Sequence, residues 1–255
     1  MYGTVISASA FMMLNDEVCD ELLHGMGFSV LGHGHGEGMH HIETDYGYRG
    51  DIFAQDVLLH EHKINKELHI VLGMFADVLS APSVRSKILK TLLRGSLVRM
   101  IGDAGDGFTT IELADGIRGY TRAAFIEKAR QAQRDGPPVS RISLLDSAMR
   151  YIGTQYRWGG KSPMGIDCSG LCFMAYRENG ITIYRDAAIK PGYAIRQIPR
   201  EQMKPADLAF LPAHVAMYAG GGLFVHSSVR NNGVAVDRLE GYPVGDMVVG
   251  SVFSS

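Results

Sequence analysis

An internal repeat fills the first half of the chain and limits what that half can fold into. The segment from Glu21 to Gly50 aligns with the segment from Thr91 to Gly119 at an offset of 70 residues. Both copies contain a Leu-Leu-x-Gly sequence, a second glycine seven residues later and, after a one-residue deletion, a closing Arg-Gly pair. Short β-type runs separated by glycine turns make up each copy. The repeat therefore predicts two small all-β domains.

The copies resemble bacterial SH3 domains, whose pattern is a leucine-glycine turn, a short strand pair and a closing Gly-aromatic-x-Gly hairpin. This resemblance implies two SH3-like barrels, which we place at residues 1–72 and 73–130. A role for both barrels in packing alone is an equally good interpretation. The following run TRAAFIEKARQAQRD predicts a helix, and the paired prolines of GPPVS predict its end. We expect a linker at 131–140 and a third domain at 141–255.

Composition excludes several classes of protein. Apolar residues make up 46% and charged residues 20%, as in ordinary globular proteins, so extensive disorder is not expected. The net charge of −2 and the lack of a basic run argue against a nucleic-acid partner. No apolar stretch has the length of a membrane span. The first residues lack a basic leader segment, which predicts a cytoplasmic protein, or a secreted one if a leader was trimmed. A monomer is the favoured oligomeric state.

Cys168 has the sequence surroundings of a nucleophile. Apolar residues at helical spacing follow it, and Asn179-Gly180 predicts the helix end, so Cys168 is expected at or near a helix N-terminus. The helix dipole there favours an anion, which predicts a lowered pKa for the thiol. The alternative is a small buried hydrophobic side chain, which we prefer for Cys172 one turn further along.

Two histidines can serve as partners of that thiol. A hairpin turn at Gly220-Gly221-Gly222 would place Ala216 opposite His226, with His214 on the same sheet face. An even-numbered loop would instead place the two imidazoles on opposite faces. In the favourable register His214 can accept the thiol proton while His226 orients it. Two unrelated strand histidines remain the alternative.

Residues 140 to 255 resemble the NlpC/p60 family of papain-like cysteine peptidases, through the run WGG-x-S-x-x-G-x-DCSGL and both histidine strands. The resemblance implies an α+β catalytic domain in which a cysteine-bearing helix packs on an antiparallel sheet. Cys168 would be the nucleophile, His214 the base and His226 the orienting residue. Tyr156 would hold the developing oxyanion alongside the Cys168 backbone N–H. The motif also implies a substrate-binding role for Trp158, Asp167 and Ser169.

Two SH3-like domains before such a domain resemble γ-D-glutamyl-L-diamino acid endopeptidases of murein-peptide recycling. Their Pro-Arg-Asp-Ala-x-x-Gln motif corresponds here to YRDAAIK, which keeps Arg185 and Asp186 as expected substrate-binding residues. Asp186 would pair with the ammonium of an N-terminal L-Ala; the alternative is an exposed carboxylate paired with Arg185. By looser alignment, Glu17 and Tyr48 of the first copy would close one end of the cleft.

The expected partner is thus a murein peptide, and no cofactor is implied. Rival functions are a secreted hydrolase of intact cell wall and a cell-wall binding protein without activity. Eight of the ten histidines precede residue 70, and the segment from His33 to His41 has spacings found in metal sites. Its glycine-rich flanks favour an exposed hairpin loop, so no metal site is assigned.

Overall fold

The structure of the protein, a computed structural model, describes residues 1–63, 67–129 and 139–253. Within these ranges the chain is mostly β, with several sheets and two α-helices. It divides into a first unit, Met1–Ala129, and a second unit, Arg130–Ser255. Among the described residues, no helix is long and apolar enough to cross a membrane.

The first unit begins with a seven-stranded antiparallel sheet. Its strands are β1 (Tyr2–Val5), β2 (Ser9–Leu14), β3 (Glu17–Leu23), β4 (Gly27–His33), β5 (Met39–Thr44), β6 (Arg49–Phe53) and β7 (Val57–His60). They lie in the order β3-β2-β6-β5-β4-β1-β7. The alternation of buried and exposed residues directs Val5, Met12 and Ile52 into an apolar core.

A second seven-stranded sheet repeats this topology. Its strands are β8 (His69–Val71), β9 (Phe75–Leu79), β10 (Ile88–Leu93), β11 (Leu97–Gly105), β12 (Phe108–Glu112), β13 (Arg118–Arg122) and β14 (Ile126–Lys128). The order β10-β9-β13-β12-β11-β8-β14 is that of the first sheet with each number raised by seven. The internal repeat of the sequence is therefore a repeat of structure.

The Leu-Leu-x-Gly sequence has the same structural role in both copies. Leu22 and Leu92 are fully buried in the cores of their sheets. Gly25 and Gly95 follow with φ of 79° and 90°, a left-handed backbone that favours glycine and turns the chain into the next strand.

The helix expected after the second copy is wrong for its described part. Residues 118–122 are β13, a short 3-10 turn covers Ala123–Phe125, and Ile126 begins β14. Ile126 pairs with Val71, so pairing with β8 outweighs the helix propensity of this segment. Residues 130–138, with most of the expected linker, lie outside the described part of the chain.

The second unit contains both helices and a six-stranded sheet. The helices are α1 (Arg141–Met149) and α2 (Cys168–Glu178), and the strands are β15 (Lys161–Ser162), β16 (Gly165–Ile166), β17 (Arg196–Ile198), β18 (Leu208–Leu211), β19 (His214–Gly220), β20 (Leu223–Ser228), β21 (Gly233–Asp237) and β22 (Val248–Ser251). β15 and β16 form a separate hairpin, and the sheet order is β17-β22-β18-β19-β20-β21. Helix α2 packs against β19 and β20.

Helix α1 has Ser140 as its N-cap. The Ser140 hydroxyl accepts a hydrogen bond from the Ser143 N–H at 3.0 Å. Arg141 then pairs with the buried Asp207 carboxylate at 2.7 Å, which joins the start of α1 to the residue before β18. This pair explains why a charged residue, Asp207, stands at the entry to a buried strand.

Candidate active site

Cys168 is the first residue of α2, as the helix pattern predicts. The residue before it, Asp167, is the N-cap, and its carboxylate accepts a hydrogen bond from the Gly170 N–H at 2.5 Å. The thiol is 9% exposed. Backbone N–H groups of Val215 and Ser169 donate to its sulfur. Since Val215 follows His214, these contacts place the thiol at the start of the β19 strand.

A buried arginine holds this helix start against the preceding glycine loop. Arg185 donates to both oxygens of Asp167, at 3.1 and 3.2 Å, and to the Gly159 carbonyl at 3.0 Å. It also donates to the Ser169 hydroxyl at 2.8 Å. Arg185 is therefore a partner of Asp167. Its 1% exposure gives it a position inside the fold, behind the site.

The expected lowering of the Cys168 pKa is wrong. Burial, followed by the neighbouring Asp167 carboxylate, raises the pKa of this thiol to about 11, although the Val215 and Ser169 N–H groups act in the opposite direction. The free-energy cost of removing the thiolate from water is larger here than the stabilisation that the helix N-terminus gives to it. The resting site therefore holds a neutral thiol near pH 7.

A chain of hydrogen bonds joins two histidines to a carboxylate. Nε2 of His214 lies 2.9 Å from Nδ1 of His226, and Nε2 of His226 lies 2.8 Å from Oδ1 of Asp237. The carboxylate accepts the Nε2–H of His226, so Nδ1 of a neutral His226 is an acceptor. It then accepts the Nε2–H of His214, which leaves the lone pair of His214 on Nδ1. Asp237 thus fixes the tautomers of both rings.

The pairing of β19 with β20 places the two histidine rings on the same face, as expected, but through a bulge and a shorter turn. Met217 lies opposite Val225 and Tyr218 opposite Phe224, and the same register sets Ala216 opposite His226. Gly220, expected in the loop, is instead paired with Leu223 after a register shift. A two-residue turn alone would place the two histidines on opposite faces of the sheet. The bulge before Gly220 returns them to the same face.

Burial sets the charge of His214 at neutral pH. Burial, followed by the nearby His226, lowers the pKa of His214 to about 4. Burial opposes ionisation of Asp237, but hydrogen bonds from His226 and Asn231 outweigh it and lower the pKa of that carboxyl. At neutral pH the site therefore combines a neutral His214, which can accept a proton, with a charged Asp237 at the other end of the hydrogen-bonded series.

Asp237 and Tyr242 belong to the site and were missed in the sequence. Asp237 lies on β21 two residues beyond Ala235, which is opposite His226. The same alternation argument that paired the histidines, applied to one more strand, would have found it. Tyr242 stacks on the His214 ring with centroids 4.8 Å apart. It follows the last paired residue of β21, in a loop where no sequence pattern indicates it.

Tyr156 lies close to the thiol, whereas Trp158 lies on the surface. Burial, followed by the charge of Cys168, raises the pKa of Tyr156 to about 12, so its hydroxyl stays protonated and can donate. The backbone of Tyr156 bridges to Ile166, just before the N-cap of α2. Trp158 is 65% exposed and is the first residue of the glycine loop, in which the Gly159 carbonyl accepts a hydrogen bond from Arg185.

A small cavity adjoins the site on the side of Asp186. It has a volume of about 10 Å³, is walled mainly by apolar side chains, and has Ser169, Tyr184 and Asp186 at its polar edge. Val215, which contacts the Cys168 sulfur, also lines it. Burial, together with a hydrogen bond to the Asp186 carboxylate, raises the pKa of Tyr184 to about 12.

The remaining predicted site residues lie in the first unit. Glu17 is exposed at the start of β3, and Tyr48 is half-buried against the core of the first sheet. Their expected role at the cleft stays a prediction.

The chain is similar to known proteins of one family. The sequence profile of the NlpC/P60 family matches residues 153–252. Dipeptidyl-peptidase 6 of Lysinibacillus sphaericus is 37% identical over 234 residues, covering 89% of this chain and 86% of that protein. Gamma-D-glutamyl-L-lysine dipeptidyl-peptidase of Bacillus subtilis (strain 168) is 32% identical over 120 residues, 42% of this chain and 40% of that protein.

A solved structure shows the same fold. The crystal structure of an NlpC/P60 family protein from Bacillus cereus ATCC 10987 superposes with a TM-score of 0.83 over 98% of both chains, at 18% sequence identity. Together with the profile match and the extended similarity to a dipeptidyl-peptidase, this shows that the chain belongs to the NlpC/P60 family of cysteine peptidases.

Proposed function

We propose that the protein cleaves short murein peptides with a free N-terminal L-Ala, hydrolysing the bond between γ-D-Glu and the diamino acid. The observation that carries this proposal is the placement of Cys168 at the start of α2, beside the strand that begins the His214–His226–Asp237 chain. The name of the Lysinibacillus relative supports it, because a dipeptidyl-peptidase removes two residues from a free amino terminus.

Each step of the reaction has a group suited to it. The Cys168 sulfur attacks the γ-carbonyl carbon of D-Glu as Nδ1 of His214 accepts the thiol proton. The Tyr156 hydroxyl and the Cys168 backbone N–H donate to the oxyanion of the tetrahedral intermediate. His214 then returns the proton to the departing amine, which leaves a thioester. Water, deprotonated by His214, hydrolyses that thioester and restores the thiol.

Charge moves through the histidine chain during these steps. When His214 becomes an imidazolium, its Nε2–H still donates to His226, which in turn donates to the ionised Asp237. A carboxylate at the end of this chain stabilises the positive charge without accepting the proton. The chain thus favours the transition state over the resting state, in which both the thiol and His214 are neutral.

Peptide length and the N-terminal residue would be selected around Asp186. A substrate ammonium can pair with its carboxylate, and the adjoining cavity of about 10 Å³ suits a side chain no larger than a methyl group. This pairing of a small apolar space with a half-buried carboxylate supports L-Ala with a free amine. The substrate-binding roles of Trp158, Asp167 and Ser169 belong to the same proposal; Arg185, buried behind the site, would act by holding Asp167.

The two sheets of the first unit are proposed to be SH3-like barrels. Their shared strand order and the glycine turn of each copy support this assignment. Glu17 and Tyr48 would then limit the cleft to short peptides, and recycling of such peptides would place the enzyme in the cytoplasm.

A panel of three substrates tests the proposal. The protein is incubated with L-Ala-γ-D-Glu-diaminopimelate, with its N-acetylated form and with purified sacculi, and the products are identified by mass spectrometry. We expect diaminopimelate from the free tripeptide and at least a tenfold slower reaction after acetylation, because the ammonium contact is lost. Soluble fragments released from sacculi would instead favour a hydrolase of intact cell wall, and binding to sacculi without products a cell-wall binding protein.

A further inference from the structure

A second cluster of chemically active side chains lies in the first unit. His35 in the loop between β4 and β5, His41 on β5 and Asp51 on β6 converge on one point. Nδ1 of His35 lies 2.7 Å from Oδ2 of Asp51, and Nδ1 of His41 lies 2.6 Å from Oδ1. The two histidine nitrogens and a carboxylate oxygen all lie within 4.8 Å of one another.

The strands and the loop both hold these groups in place. His41 and Asp51 are directly opposite each other in the β5–β6 pairing. The His35 backbone N–H also donates to Asp51, at 2.8 Å, and the Gly34 N–H donates to the Met39 carbonyl at 2.9 Å. A Cβ on Gly34 would lie 2.7 Å from the Met39 Cβ, so glycine allows the loop to close over β6. The segment is a hairpin, as expected, but its loop is tied to the sheet.

An ion can reach this cluster from solvent. The side chain of His35 is 87% exposed and that of His41 29%, whereas the Asp51 carboxylate is 9% exposed at the base. Two imidazoles over one half-enclosed carboxylate form an open site with three protein ligands.

We propose that His35, His41 and Asp51 bind one divalent first-row transition metal ion, of which Zn²⁺ is the representative. Two imidazole nitrogens and one carboxylate oxygen suit such ions, whereas Mg²⁺ and Ca²⁺ prefer sites made of oxygen. Tetrahedral ligands at 2.0–2.1 Å from zinc lie about 3.3 Å apart. The two hydrogen bonds of 2.7 and 2.6 Å run to different oxygens of Asp51. The two nitrogens and one oxygen lie within 4.8 Å of one another, so their separations need to change by at most about 1.5 Å.

Binding requires no more than a shift of tautomer in neutral histidines. Each Nδ1–H that now donates to Asp51 moves to Nε2, and Nδ1 becomes a metal ligand. The His35 backbone N–H stays on the carboxylate as an outer contact that orients it. Water completes the coordination.

Calorimetric titration of the full chain with Zn²⁺ at pH 7.5 tests the site. Iodoacetamide first blocks accessible thiols, because thiolates bind zinc. The matched variants are His35→Ala and His33→Ala, since both side chains are exposed and occur in the same histidine-rich segment. We expect one ion per chain, at least a tenfold weaker affinity for His35→Ala, and less than a twofold change for His33→Ala.

A second measurement keeps the test independent of folding. Co²⁺ bound in the same site should give a visible absorption band that Zn²⁺ displaces and a large excess of Mg²⁺ does not. Absence of stoichiometric binding would overturn the proposal. So would an equal loss of affinity in both histidine variants, since that result describes unspecific attraction to a histidine-rich surface.

Discussion

At the scale of single residues, the site depends on which nitrogen of each histidine carries the proton. The pKa shifts given above leave Asp237 charged and His214 neutral at rest. Its Oδ1 faces His226, and its Oδ2 accepts from the Asn231 amide at 2.7 Å. The two contacts make the orientation of any replacement side chain predictable.

Asp237→Asn should reverse the tautomers of the chain. The Asn231 amide is a donor and will face the new carbonyl oxygen, which turns the new NH₂ toward His226. His226 then donates to His214 from Nδ1, and the proton of His214 moves to Nδ1, where it cannot accept from Cys168. We expect kcat to fall on the order of a hundredfold, more than for Asp237→Ala, which imposes no tautomer.

The exposed Asp246→Asn is the control for this change and should leave kcat unaltered. Equal rates for Asp237→Asn and Asp237→Ala would show that the carboxylate does not set the tautomers.

The pKa of Cys168 predicts how its reactivity depends on pH. A neutral thiol with a pKa of about 11 has a thiolate fraction that rises tenfold per pH unit up to that value. Alkylation by iodoacetamide, followed on the Cys168 peptide by mass spectrometry, should therefore accelerate steadily from pH 6 to 10. A rate that is already constant near pH 6 would indicate a preformed thiolate–imidazolium pair and contradict the neutral resting state.

Hydrolysis should be limited at acid pH by the protonation of His214. His214 must be neutral to accept the thiol proton, and its pKa is lowered to about 4. We expect kcat/KM for the tripeptide to hold down to about pH 5 and to fall as the pH passes through about 4. An acid limb near pH 6.5, the ordinary range of histidine, would show that His214 is not depressed as described.

At the scale of elements, Arg185 joins the glycine loop to the start of α2 through bonds to Asp167, Ser169 and the loop carbonyls. Breaking a buried ion pair by removing one partner costs about 3–5 kcal/mol. Arg185→Met should lower the free energy of unfolding of the second unit by that amount in a denaturant titration. Arg150→Met, which removes an exposed pair with Asp146 on α1, should cost less than about 1 kcal/mol.

Elements also show what the sequence could predict. The cysteine helix and the histidine strands follow from apolar spacing and from the DCSG motif, because both depend on local pattern. The residues of strand β14 favour a helix, so local pattern predicts one, and only pairing with β8 makes the segment extended. The two copies agree at this point. The 3-10 turn at Ala54–Asp56 leads into β7 in the first copy, just as the turn at Ala123–Phe125 leads into β14 in the second.

Burial explains the other differences. Helix-dipole reasoning predicts a lowered thiol pKa, but the enclosure of Cys168 depends on packing that no local pattern contains. For the same reason the pairing of Arg185 with Asp167 could not be predicted, since it joins residues 18 apart in sequence. The position of Asp237 beside His226 can be predicted from strand alternation. The stacking of Tyr242 on His214 cannot, because Tyr242 lies in a loop.

At the scale of the whole molecule, His24 connects the two halves of the first unit. Its Nδ1–H donates to the Ile6 carbonyl at 2.9 Å, and its Nε2 accepts from the Ala114 N–H at 3.1 Å. Burial, followed by the charge of Lys90, lowers its pKa. A depressed folded-state pKa means that His24 stabilises the fold fully above pH 6.5 and loses this contribution as the pH falls through the folded value.

His24→Leu should therefore destabilise the first unit most at pH 8. Leaving the Ala114 N–H without its acceptor costs about 1–3 kcal/mol. The difference in unfolding free energy from the wild type should shrink as the pH is lowered to 5, where the wild type has lost part of the His24 contribution. The exposed His62→Leu is the control. A difference that stays constant with pH would contradict the assignment of this titration to His24.

The most direct test of the whole account is the turnover of L-Ala-γ-D-Glu-diaminopimelate by Cys168→Ala, beside Cys172→Ala as its match on the same helix. Cys172 is fully buried one turn further along, and its loss removes packing without removing the nucleophile. We predict no diaminopimelate from Cys168→Ala and near-normal release from folded Cys172→Ala. Continued release by Cys168→Ala would contradict the thiol mechanism.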